Sequence, residues 1–210
     1  MEKESQTIFD KNVIEFVTVA AEFCAFLERA ERMKRSTFVD TSLKILPLLY
    51  LKASMLPKCE TIGDEALETY VTEEIYEILR INLSGLMADK DDYLDVFVQD
   101  MVYSDQPIKK SISEDLADIY QDIKDFIFVF QLGLNETMND SLAICQENFG
   151  TLWGQKLVNT LRALHDVKYN QEEEEEVGNE EGFYEPSDDN DCCEAVSYTH
   201  LRAHETSAHL

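Results

Sequence analysis

Five carboxylates crowd one short stretch of this chain: Glu114, Asp115, Asp118, Asp122 and Asp125, within SISEDLADIYQDIKDFI (111–127). Carboxylates one helical turn apart repel each other unless a cation or an arginine lies between them. At about 100° per residue, the apolar stripe of this segment is Ile112, Leu116, Ile119, Ile123, Phe126 and Phe130. Asp118 and Asp125 project roughly 130–150° from the centre of that stripe, and Asp122 lies nearer its boundary, at roughly 90°. The run is therefore read as a solvated helix face, or as a face that pairs with an arginine or a divalent cation.

A second polar group stands in LWGQKLVNTLRALHDV (152–167): Trp153, Arg162 and His165. With Leu157 and Leu161 taken as inward, His165 falls roughly 60° from its stripe centre, at a boundary position. An Asp–Arg or Asp–His pair across the seam of these two helices would be charge-assisted and would help fix their register. Asp118, Asp122, Trp153, Arg162 and His165 are the candidate polar cluster. Three readings stay open: a pair that sets register, a ligand site, and unrelated surface positions.

Most catalytic signatures are absent. There is no GxGxxG, Walker loop, GxSxG, HExxH or paired CxxC. A carboxylate-bridged di-metal bundle needs Glu-x-x-His on two helices, and position 162, three before His165, is an arginine. No catalytic residue, metal or cofactor is assigned.

The elements that position these residues follow from 3.6-residue periodicity. Helices are expected over about 6–33, 37–56, 72–87, 112–132 and 136–167, with a shorter helix or extended stretch over about 92–102. Ser36 and Thr72 are the expected N-caps of the second and third. Ser111 and Glu114 form an expected capping box for the fourth. Pro47 should kink the second helix, and Gly150 and Gly154 should bend the last. Asp89-Lys90-Asp91 and Ser104-Asp105-Gln106-Pro107 read as loops.

From Asn170 the composition changes. NQEEEEEVGNEEGFYEPSDDNDCCE (170–194) carries 12 acidic and no basic side chains and is nearly free of aliphatics, so it reads as a disordered acidic tail. Ser197–Thr206 resembles the peptide obtained when a sequencing adapter is translated in frame. On that resemblance residues 196–210, with His200, His204 and His209, carry no biology. The organisation expected is a helical domain over 1–169, an acidic tail over 170–195 and a non-native segment over 196–210.

Charge and cysteine content narrow the class. Residues 1–169 hold 30 acidic and 17 basic side chains, a net −13, so no basic patch suits nucleic acid. The apolar runs are too short to span a bilayer, and residues 1–12 lack a signal core. Five cysteines in irregular positions suit reduced thiols and a cytoplasmic location. Cys24 and Cys145 read as packing residues.

Two segments, 111–127 and 152–167, resemble the most recognisable parts of an uncharacterised bacterial family, number 5063 of the domains of unknown function. ILPLLYLKASMLP (45–57) is similar to its second helix. The matching positions include Leu116 to Tyr120, Asp122, Trp153-Gly154 and Leu161 to His165. Leu152 stands where that pattern suggests a histidine. The resemblance implies a helical fold over about 8–168 and no established activity.

The expectation is an all-α bundle of five to six helices that acts as a non-enzymatic protein-interaction module, with another protein as partner and neither nucleic acid nor membrane. The alternative is a small-molecule or cation site, enzymatic or not, built on the Asp/Arg/His cluster.

Overall fold

The computed structural model describes residues 7–63, 66–95 and 108–170. The acidic tail, the adapter-like segment, the Ser104–Pro107 loop and Cys192-Cys193 lie outside them. Among the described residues the chain forms α1 (Lys11–Glu28), α2 (Arg35–Ser54), α3 (Glu73–Met87), α4 (Ile112–Gln131), α5 (Asn135–Asn148) and α6 (Gly154–Tyr169). A short antiparallel ribbon of β1 (Asp92–Leu94) and β2 (Lys109–Ser111) precedes α4, in register Tyr93 against Lys110. The all-α class holds, with this ribbon as its only addition among the described residues.

α4 is the central helix. It packs against α1, α3, α5 and α6, while α2 closes the bundle against α1 and α6. Its buried side includes Ile112, Leu116, Ile119, Ile123 and Phe126, as the 3.6-residue period requires. Trp153 and Phe16 are completely buried in the same core. The Trp153 indole N–H donates to the Cys145 carbonyl at 3.2 Å, which satisfies its one polar atom.

Thr72 caps α3 as expected, accepting from the Ile75 amide at 3.3 Å. The two serine caps do not form. α2 begins two residues earlier than a Ser36 cap allows, with Lys34 at its N-cap and no side-chain cap bond. Ser111 makes no side-chain cap bond either; Asp91 does that work from outside the helix. Its carboxylate accepts the Ser113 amide at 2.8 Å and the Ser113 hydroxyl at 2.6 Å, and its carbonyl accepts the Ile112 amide at 2.8 Å. A full negative charge beside the N-terminus of α4 complements the dipole better than a neutral hydroxyl. The Asp89–Asp91 segment is thus a cap as well as a loop.

The last helix is a single rod interrupted by a π-turn over Phe149–Trp153. Gly154 is required there: a Cβ at 154 would collide with the Phe149 carbonyl oxygen. Gly150 has open space around it.

Candidate functional site

Asp115, Asp118 and Asp122 are spaced i, i+3, i+7, so α4 presents them along one stripe. That stripe faces the α5–π-turn–α6 rod, which runs antiparallel. Asp115 accepts from the Thr160 hydroxyl at 3.4 Å, Asp118 pairs with the Lys156 ammonium, and Asp122 accepts from the Asn148 amide at 2.7 Å. The partner numbers fall as the aspartate numbers rise, which makes this a polar ladder along the seam.

The π-turn sets the phase of that ladder. Asn148 and Lys156 are eight residues apart and would diverge by roughly 80° on a continuous α-helix. A π-turn takes up one residue more than an α-turn and sets back everything after it by about 100°. The two side chains then lie within roughly 20° of each other, and both reach α4.

Two tyrosines complete the inner rungs. Tyr76 of α3 donates to Asp118 at 2.8 Å, and Tyr93 of β1 donates to Asp115. Burial and the accepting carboxylate push both phenols above their usual range. Burial also raises the Asp115 carboxyl, against the lowering effect of the Tyr93 hydroxyl and the charges of Lys156 and Lys110. Asp122 is raised by burial as well, with only the Asn148 bond and the Lys156 charge opposing it.

On its other edge α4 meets an extended strap formed by residues 56–63 and 66–72. Asp125 accepts the strap amides of Tyr70 and Val71 at 2.7 and 2.8 Å. α5 holds the earlier half: Asp140 accepts the amides of Ile62 and Gly63 at 2.7 and 2.9 Å. Asn139 donates to the Glu60 carbonyl at 2.7 Å, and Gln146 donates to the Leu56 and Pro57 carbonyls. The strap has no ladder partner of its own, and these side chains satisfy its backbone instead.

The structure divides the expected cluster. Asp118, Asp122 and Trp153 belong to the seam. Arg162 and His165 are exposed and line an open cleft of about 630 Å³ with Asp92, Asp95 and Asn159. The His165 ring rests on Tyr169, with centroids 4.6 Å apart. The expected Asp–Arg or Asp–His pair is replaced by Asp118–Lys156. The cause is Thr160, which is completely buried while Leu161 is only half-buried. A threonine wins the inward position because its hydroxyl has Asp115 to bind, and this turns the buried face of α6 away from His165. Sequence reasoning missed Lys156, Thr160, Asn148, Tyr76 and Tyr93. The spacing Trp153, Leu157, Thr160, Leu164 carries the signal, because it is a 4-3-4 seam once a threonine is admitted to it.

Among the described residues no three His, Cys, Asp or Glu side chains come together in a way that could hold a metal ion. Cys24 and Cys145 are buried, and burial pushes the Cys24 thiol up to about 12 and the Cys145 thiol well above its usual value. A thiol in that state is a packing residue, not a nucleophile.

Fold and site together define a helical bundle whose inner polar groups answer one another along helix seams. The chain belongs to the family described as Domain of unknown function (DUF5063), whose model matches residues 7–170. It is similar to a solved protein, BF1032 from Bacteroides fragilis, at 82% identity over 78% of this chain and 96% of that one, with a TM-score of 0.70. No curated protein matches it.

Proposed function

We propose that this chain is a non-enzymatic helical module that binds another protein in the cytosol. The outward face of α2 carries the reading. Leu48, Leu51 and Met55 lie on it at i, i+3 and i+7, and they are 42, 52 and 45% exposed. That spacing is the pattern by which one helix reads the apolar stripe of another. Tyr50, from the same half of α2, meets Phe149 edge-on at 5.1 Å and carries the surface onto the π-turn, where Leu152 is also exposed.

The net −13 over residues 1–169 suits a partner with basic flanks around its apolar stripe and disfavours nucleic acid. Cys24, Cys59 and Cys145 are free thiols, in keeping with a reducing compartment. No helix among the described residues is long and apolar enough to cross a membrane. An enzyme built on Asp118, Asp122, Arg162 and His165 loses support, since Arg162 and His165 line a cleft of their own.

A photo-crosslinking residue at Leu51, introduced in the native host, tests this. One protein should be captured there and lost when Leu48→Asp is added, while the thermal midpoint stays unchanged. Capture of the same protein from position 147, on exposed Glu147 of α5, would sink the assignment of this face.

A further inference from the structure

We infer that the cavity between the strap and the α4–α5 pair binds a small organic cation, an ammonium group carried on a compact apolar body. The cavity has a volume of about 390 Å³, within the range of small-molecule sites. Leu67 of the strap, Phe126 and Val129 of α4 and Ile144 of α5 give it an apolar lining. Asp122 and Asp125, one turn apart on α4, line the same space.

These two carboxylates differ from two others at this helix. Asp118 has the Lys156 ammonium, and Glu28 of α1 has Lys124 of α4 at 2.6 Å. Asp122 and Asp125 receive only neutral N–H donors, from the Asn148 side chain and from the Tyr70 and Val71 amides. Among the described residues neither forms an ion pair. Both are partly withdrawn from water beside apolar walls, and burial raises both carboxyls. Exposed Glu68 of the strap adds a third carboxylate to the lining, and like charges gathered at such a wall call for a cation. The apolar walls specify what that cation must carry, because a hydrated metal ion would leave Leu67, Phe126, Val129 and Ile144 uncovered.

Three probes of one shape and different charge test the inference on the full chain at pH 7: 2-phenylethylamine, 2-phenylethanol and 3-phenylpropanoate, each followed by isothermal titration calorimetry. The amine should bind about tenfold or more tightly than the alcohol, and the acid should give no heat. Asp122→Asn should reduce the amine to the affinity of the alcohol and leave the alcohol unchanged. Asp125→Asn should do the same, and because Asp125 also holds the strap, its thermal midpoint is measured alongside. Ile144→Trp, which fills the cavity from an exposed position and leaves both carboxylates in place, should abolish binding of the amine and the alcohol together. The inference is overturned if amine and alcohol bind equally, if the amine gives no heat at millimolar concentration, or if Ile144→Trp still binds it.

Discussion

Two stretches of α4 carry the same residue in opposite circumstances. Toward the N-terminus, Asp115 and Asp118 meet Tyr93, Thr160, Tyr76 and Lys156, so hydroxyls and an ammonium answer their charge. Toward the C-terminus, Asp122 and Asp125 meet only neutral amides and border a cavity. The first stretch joins helix to helix. The second holds Asn148 and the strap through neutral donors and brings no opposite charge to either carboxylate. A carboxylate run in a sequence is therefore not one object, and its meaning depends on what the facing element delivers.

The largest break in this contrast comes from the π-turn, which brings Asn148 and Lys156 onto one face. Gly154→Ala places a methyl group against the Phe149 carbonyl, a backbone atom that can move only with the turn. The expected loss is about 3 kcal/mol in urea unfolding, typical of a forced overpacking. Gly150→Ala, with open space around it, should change stability by less than about 0.5 kcal/mol. Equal stability of the two variants would mean that the π-turn does not hold the seam.

A middle-sized effect separates the two stretches directly. Lys156→Met leaves the Asp118 charge with Tyr76 alone and should cost about 1 kcal/mol, since both partners are partly exposed. Asp118→Asn added to it should be non-additive, with coupling of about 0.5 kcal/mol or more. Asp122→Asn should cost nothing at pH 7, because burial disfavours the charge it removes. The sign of the pH dependence follows. A carboxyl raised in the folded state contributes stability below its unfolded value of 3.8, and that contribution is lost as pH rises through the higher folded value. The stability of Asp122→Asn relative to the parent chain should therefore rise as pH increases across that window. A relative stability that falls with pH would reverse the account given to Asp122.

The helices were legible in the sequence because their apolar stripes are strong and few glycines or prolines interrupt them. Thr72 was legible as a cap because the amide it accepts from lies within its own chain segment. Asp91 was not, because it caps α4 across a ribbon whose pairing is a tertiary fact. The seam carboxylates were found and their partners mistaken, since a stripe drawn from leucines alone excludes Thr160 and turns α6 toward His165. The strap escaped notice for a related reason. Its backbone is satisfied by Asn139, Asp140, Gln146 and Asp125, and no periodicity within residues 56–72 announces such bonds.

The smallest expected effect concerns the acidic segment. If the contrast between the two stretches of α4 belongs to the helical body, ending the chain after Asn170 should leave it intact. We propose that residues 171–210 are dispensable for folding, on the composition break at Asn170 and on a family match that also ends at residue 170. The shortened chain should keep the thermal midpoint of the full one at moderate ionic strength. Ending the chain there removes 13 Asp/Glu side chains and Arg202, a net 12 negative charges from an already acidic chain, so a rise of a degree or so at low salt is expected and should vanish as salt screens it. A fall of many degrees would show that the body needs the segment, and the comparison drawn within α4 would then have to include it.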